Sequence, residues 1–432
     1  MRVLLVVHGF PPEEESGTEL YVAELARALV RTGHTVDVFA GSHSARAPVR
    51  EWRQDEGFEV ERLARPRERL RLNFADSSVE SAFSSALGRF EPDVVHVHHL
   101  LGLTMPLVPL VKARGIPVVV TLHDHWFLCP EVQPFHPHAH PVHGDRWGLN
   151  CFVHLELLRP RRAASMVLRL DLLARARRHL TRARLARAEL EAADLLIAPS
   201  RFLAQRFAES GCPGTLTYVL PHGIPRLELP APAPAQAGMR VGYLGPILQD
   251  KGVDLLLRAF RGVRDPACRL EVRGPAPASR FARRIRRLAA RDARVSLGPG
   301  LPHEEVGAFL TGLDLLVVPS RFQESFSLIA HEAFAAGVPV LASDAGALPE
   351  LVEPGANGAL FRSGDRRDLK RRLRELLDDP EELGRLTHFP PVKSIDAHAR
   401  ELAALYGALV ARMELPQPLA RYARATSRSV AS

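Results

Sequence analysis

Apolar residues along the chain fall in short unbroken runs, separated by stretches in which they recur at helical spacing. Val3–Val7 is such a run, Leu20–Val30 follows with a 3.6-residue period, and Gly33-His34 closes that segment before the run Val36–Ala40. Further runs at Phe58–Leu63, Val94–Val97, Val118–Leu122, Leu195–Ala198 and Leu216–Leu220 read as strands, with helical patterns filling most of the gaps. Strand–helix alternation of this kind predicts a parallel sheet covered by helices on both faces.

The stretch from Pro230 to Gly238, alternating proline and alanine over most of its length, interrupts the rhythm and reads as a linker or exposed loop. A second series then begins. Its strands are predicted at Val241–Leu244, Leu270–Val272, Val295–Leu297, Leu315–Val318 and Val338–Ala342. Its helices are predicted near Gly252–Arg261, Arg280–Arg291, Glu304–Thr311, Ser327–Ala336 and Arg366–Leu377. The fold expected is α/β, with two doubly wound Rossmann-like domains at 1–222 and 223–394. A final helix (about 395–415) is expected to pack back on the first domain, and 416–432 reads as a tail. Two such halves would take a ligand in the cleft between their switch points.

The densest chemistry follows the run Leu315–Pro319. Glu324 and Glu332 stand eight positions apart in Glu324-Ser325-Phe326-Ser327-Leu328-Ile329-Ala330-His331-Glu332. Glu324 is expected in the loop at a strand's carboxyl end, and Glu332 about two turns into the next helix. Carboxylates there can accept hydrogen bonds from vicinal sugar hydroxyls. The amides of Ser325, Phe326 and Ser327 at the helix start would add donors for sugar or phosphate oxygens. An ordinary helix with solvated acids is the competing reading.

Other candidates sit at strand ends. Gly17 follows the loop His8–Ser16, and glycine at a helix start permits close backbone approach to an anion, although the acids Glu13, Glu14 and Glu15 share the loop. Gly245 begins Gly-Pro-Ile-Leu-Gln-Asp-Lys251-Gly252, whose lysine can reach a diphosphate as a point charge or be an ordinary surface residue. His123 ends the run Val118–Leu122 and can bond a sugar hydroxyl or serve structure alone.

Composition narrows the field. The 432 residues call for two or three domains, and 46% hydrophobic with 25% charged residues is ordinary for a globular chain. No apolar run is long enough to span a membrane, and no leader pattern precedes the first strand, so a cytoplasmic protein is expected. Cys129, Cys151, Cys212 and Cys268 form no CxxC pair and read as reduced thiols. The net charge of +8 is carried by arginine; only Lys112, Lys251, Lys370 and Lys393 are lysines. The run Arg159–Arg187 lacks interleaved aromatics, so no nucleic-acid partner is expected. Its leucines recur at helical spacing, which reads as a basic amphipathic helix able to meet anionic lipid, with a solvated helix as the alternative. His136, His138, His140 and His143 match no standard metal spacing, and no metal is assigned. Neither GxGxxG after the first strand, nor a Walker A sequence, nor Asp-x-Asp is present, which argues against nicotinamide, flavin and metal-diphosphate chemistry.

Taken together these residues resemble the GT-B glycosyltransferases, specifically the retaining family 4, over nearly the whole chain. The resemblance rests on Glu324 and Glu332 within Pro319-Ser320-x3-Glu324-Ser-Phe, on Ala336-Gly337-Val338-Pro339-Val340-Leu341-Ala342-Ser343, and on Gly346, Glu350 and Gly355-Ala-Asn-Gly358. Pro221-His222-Gly223-Ile224 and Thr121–Pro130 add to it. It implies a nucleotide-sugar co-substrate held mainly by the C-terminal domain, with no other cofactor, and a glycan or lipid-linked acceptor on the N-terminal domain. Glu332 would bind the ribose, Glu324 the sugar, Lys251 the diphosphate and His123 the sugar near the transferred carbon. Gly17 and the amides of Phe326 and Ser327 would add contacts. Pro246 stands where the family usually has an arginine after Gly245. Losing that clamp weakens leaving-group stabilisation unless another group, such as Arg201 or Arg321, replaces it. The expected activity is a retaining hexosyl transfer. A catalytically inactive binding or scaffold subunit and a sugar-nucleotide epimerase are the alternatives, separable by turnover and by whether product stays on the nucleotide.

Overall fold

The structure is a computed structural model. It describes residues 1–42, 49–53, 56–64, 75–129, 168–212, 217–230 and 238–415. The chain divides into two compact units, Met1–Gly223 with Ile395–Ser432, and Ile224–Ser394. Both are parallel-sheet, Rossmann-like units.

The first unit is built on β1 (Arg2–Val7), β2 (Thr35–Ser42), β3 (Val49–Arg53), β4 (Phe58–Ala64), β5 (Val94–Val97), β6 (Val118–Thr121), β7 (Leu195–Ala198) and β8 (Thr217–Val219). Their order in the sheet is β3-β4-β2-β1-β5-β6-β7-β8. All neighbours pair in parallel except β3, which runs antiparallel to β4. Strand alternation splits β1 between two cores. Leu4 and Val6 join Phe83 and Leu87 of the helix Ser77–Phe90 and Leu203 and Phe207 of the helix Arg201–Glu209. Val3, Leu5 and Val7 join Val22, Leu25 and Leu29 of the helix Gly17–Arg31, and Leu402 and Tyr406 of the helix Ile395–Val410. The chain's last helix thus fills a core begun by its first strand.

The second unit has β9 (Arg240–Leu244), β10 (Arg269–Arg273), β11 (Val295–Gly298), β12 (Leu315–Val318), β13 (Val340–Ser343) and β14 (Gly358–Phe361). They form one parallel sheet in the order β11-β10-β9-β12-β13-β14. Helices Val253–Phe260, Arg280–Ala289 and Arg366–Asp378 cover one face, and His303–Thr311 and Leu328–Ala335 cover the other. The chain winds outward in both directions from β9, so β9 and β12 are neighbours although their loops lie far apart in sequence. A doubly wound sheet binds ligands outside the carboxyl ends of such a strand pair. The loops concerned are 245–252 and 319–327.

Candidate active site

The loops after β9 and β12 are locked together by backbone. Gly252 has φ +71°, and a Cβ there would lie 1.9 Å from the Pro319 carbonyl oxygen, so only glycine lets the two corners touch. The Arg321 amide donates to the Asp250 carbonyl at 2.7 Å across the same junction. Gly346 repeats the device on the other side. Its φ is +68°, a Cβ would meet the Glu324 carbonyl oxygen at 2.2 Å, and the neighbouring Ala347 amide donates to that oxygen at 2.7 Å.

This packing brings two of the expected residues into contact. Lys251 Nζ donates to Glu324 Oε1 at 3.0 Å, and Ser320 Oγ donates to the same oxygen at 2.5 Å. Glu324 is 6% exposed. A carboxylate this buried needs such partners to offset its desolvation. Among the described residues no donor reaches Oε2. The Lys251 ammonium also rests 4.3 Å above the Phe322 ring.

Glu332 sits lower on the helix than its sequence position suggested. The helix starts at Leu328, capped by an extended Ser327 whose side chain makes no capping bond, so Glu332 is one turn in, not two. Ser325 and Phe326 precede the helix rather than open it. Burial raises the Glu332 carboxyl to about 7, and among the described residues neither cation nor side-chain donor reaches it. Next to it, His331 stacks on Phe326 at 4.0 Å and bonds through Nδ1 to the Ser327 carbonyl at 2.7 Å. Burial lowers this imidazole to about 4, so it is neutral and Nδ1 carries the donated proton. His331 thereby ties the Phe326-Ser327 segment to the helix, a role the sequence reading missed.

Gly245 follows β9 in a conformation that favours glycine, φ +155°. The carbonyl of Pro246 accepts the Tyr243 hydroxyl at 2.8 Å. Of the two arginines considered as replacements for a clamp at this position, Arg321 is engaged elsewhere. Its guanidinium donates to Asp254 at 2.6 Å and to the Gln249 carbonyl at 3.0 Å. Arg201 belongs to the first unit, where it opens the helix Arg201–Glu209.

In the first unit, His123 lies two residues beyond β6 and belongs to a buried histidine network. His98 Nδ1 and His123 Nε2 are 3.1 Å apart, and His123 stacks on His222 at 5.1 Å. His96 bonds Tyr406 at 2.5 Å and Thr121 at 2.7 Å, and Tyr21 bonds His398 at 2.7 Å. Burial, aided by neighbouring imidazoles, holds His96 and His98 well below their ordinary value and His123 at about 3. These rings are therefore neutral donors and acceptors. They come from scattered sequence positions, and only His123 stood out beforehand.

Gly17 opens the helix Gly17–Arg31 after Ser16. The first turn already holds a carboxylate. Glu19 is buried, pairs with His8 at 2.8 Å and accepts the Ser16 hydroxyl. Burial would raise its carboxyl, but the His8 bond and charge outweigh that and hold it at about 2. The positive end of this helix thus has a resident anion.

The Arg159–Arg187 run is described from Leu168 onward, as part of the helix Leu168–Ala192. The amphipathic reading needs correction, because basic and apolar residues do not segregate. Leu173 and Leu180 are 66% and 50% exposed among arginines, whereas Arg182 is buried, donating to the Trp126 carbonyl at 2.5 Å with its guanidinium 4.7 Å over the indole. No helix among the described residues is long and apolar enough to cross a membrane. His136, His138, His140, His143 and Cys151 lie outside the described residues.

Comparison with known proteins agrees with this architecture. The family model described as Glycosyltransferase Family 4 matches residues 16–226, and that described as Glycosyl transferases group 1 matches residues 235–388. Among curated relatives, D-inositol 3-phosphate glycosyltransferase 1 of Catenulispora acidiphila is 28% identical over 86% of this chain and 84% of its own. Among solved structures, sucrose-phosphate synthase from Thermosynechococcus elongatus has a TM-score of 0.68 at 22% identity, covering 95% of this chain and 100% of that one. The Anabaena protein HepE in complex with UDP-glucose has a TM-score of 0.61 at 18% identity, covering 95% and 98%. At these identities the solved structures establish likeness of fold.

Proposed function

Since the chain belongs to the GT4-like glycosyltransferases of the GT-B fold, we propose that it transfers a hexose with retention from a nucleotide-sugar donor to a glycan or lipid-linked acceptor. The observation that carries this reading is the Lys251–Glu324–Ser320 cluster at the carboxyl ends of β9 and β12, with Glu332 one turn into the next helix. We assign the donor diphosphate to Lys251, the sugar hydroxyls to the open oxygen of Glu324, and the ribose hydroxyls to Glu332. The backbone around Gly245, Ser325, Phe326 and Ser327 takes the remaining donor oxygens. HepE, which resembles this chain in fold, was solved with UDP-glucose, and this supports a nucleotide-sugar donor. From the first unit we assign His123, as a neutral hydrogen-bonding group, to the transferred sugar, and the acceptor to the same unit.

In the reaction the bond from the anomeric carbon to the phosphate oxygen breaks, and a bond from the acceptor oxygen to that carbon forms on the same face. The acceptor's proton passes to the departing phosphate, so the products are a nucleoside diphosphate and the new glycoside. A positive point charge such as Lys251 is worth most as the diphosphate leaves.

A thermal-shift screen against UDP-, GDP- and ADP-sugars tests the reading, followed by turnover with the best ligand and NMR of the product anomer. One nucleotide sugar should raise the melting temperature, as mass action requires. The product should keep the donor's anomeric configuration. No shift with any donor, or turnover with inversion, would overturn it.

A further inference from the structure

We propose that Ser320 is a positioning residue that aims Glu324, and that it keeps that carboxylate in place when Lys251 leaves it for a donor diphosphate. The inference rests on the function proposed above and adds a residue to which no role in the site has been given.

Both donors converge on Glu324 Oε1, but they are held very differently. Lys251 carries its charge on a long flexible stem with its side chain 23% exposed. A pyrophosphate is a stronger attraction for such an ammonium than one shared carboxylate oxygen, so the Lys251 contact is exchangeable. Ser320 is 1% exposed, has a single short rotor and sits in a fixed backbone. The carbonyl of Pro319 before it packs on Gly252, the amide of Arg321 after it donates to Asp250, and its own carbonyl accepts the Ser363 hydroxyl at 3.2 Å. The hydroxyl has nowhere to follow a departing lysine. When Lys251 turns to the diphosphate, Ser320 is the donor left on Oε1, and Oε2 keeps its direction toward the sugar. A carboxylate that lost both donors would rotate to find others and lose its aim, because preorganised geometry is what the site contributes to the barrier.

The test compares crystal structures of the ligand-free Lys251→Ala and Lys251→Ala/Ser320→Ala proteins, together with kinetics of Ser320→Ala. In the single variant Glu324 should keep its rotamer, with Oε1 on Ser320; in the double variant the carboxylate should swing away. An unchanged carboxylate in both overturns the inference, whatever the activity. Ser320→Ala should lower kcat about ten- to a hundredfold, the worth of a hydrogen bond to a charged group, with donor KM changed less than about threefold. The loss should vanish in a Glu324→Ala background, which removes the acceptor through which Ser320 acts. An equal slowing in both backgrounds overturns the inference. If the wild-type protein transfers sugar from no donor, the proposed function fails and the two crystal structures decide the role of Ser320. If wild type is active and Ser320→Ala matches it, only the role of Ser320 fails.

Discussion

The two units handle buried polarity in opposite ways at the ends of their central strands. The second unit buries charge, placing Glu324 against Lys251 and Ser320. The first unit also buries a charge, Glu19 beside His8, but beyond β5 and β6 it buries polarity without charge, through histidines that burial holds neutral and that bond to one another and to Tyr21, Tyr406 and Thr121. A neutral network costs little to desolvate once its bonds are made, and it fixes geometry. A buried ion pair is costlier, and it is useful where a charged ligand will take over one partner. Glu332 adds a half-buried carboxylate that no side-chain donor reaches among the described residues. The contrast sets an exchangeable charged pair at the strand ends where an anionic, polyhydroxylated ligand is proposed to bind, against a neutral network that only fixes geometry.

The largest break in the contrast comes from removing the paired carboxylate. Glu324→Ala should lower kcat by about 10²–10³-fold, measured as transfer with the identified donor, while donor affinity falls less. Lys251→Ala should lower kcat by about tenfold to a hundredfold and also depress the melting temperature, because Glu324 then stays buried without its cation. Turnover at the wild-type rate would remove Lys251 from the mechanism. Glu332 provides the pH test. Its carboxyl titrates at about 7, so the ionised form that accepts ribose hydroxyls is lost as pH falls. Donor affinity measured by calorimetry should weaken about tenfold from pH 8 to pH 6, and Glu332→Gln should bind weakly with no such slope. The histidine network shows a dependence of the same sign at lower pH, in stability rather than binding. Its folded values lie below the ordinary value of 6.5, so its contribution is fully present above that pH and declines as pH falls from 6.5 toward about 3. Replacing His96 by Phe should flatten that decline in a denaturation series. The smallest effect expected is from Tyr406→Phe, about 1 kcal/mol from one lost hydrogen bond, read by chemical denaturation.

Much of the fold was legible because strands buried on both faces read as unbroken apolar runs. β1, β5, β6, β7 and β12 lie within about a residue of the runs that announced them. β3 escaped because Val-Arg-Glu-Trp-Arg has too few apolar residues to show a run, and β14 because Gly-Ala-Leu-Phe opens on glycine and has no β-branched residue. The helix before Glu332 was placed too early, since Ser325-Phe326-Ser327 looks like a capping segment but makes no side-chain cap. The site was legible residue by residue and illegible as a set. Lys251 and Glu324 meet across 73 positions only because the sheet places β9 beside β12. Ser320 and His331 act through single hydrogen bonds that spacing does not encode. The histidines gather from β5, the β6 loop, His222 and the final helix, and no local pattern joins them.

One consequence concerns the order in which the protein is made. Tyr406, Leu402 and His398 plug the interior of the first unit, yet they are encoded after the entire second unit. On the ribosome, at ~5–20 residues per second, the amino-terminal sheet must wait on the order of 10–40 s for the segment that seals it. During that interval Tyr21 and His96 lack the partners that later bury them. A nascent chain stalled before Ile395 should therefore expose a wet, unsealed face that chaperones can grasp, while the later-synthesised unit can finish ahead of the earlier one.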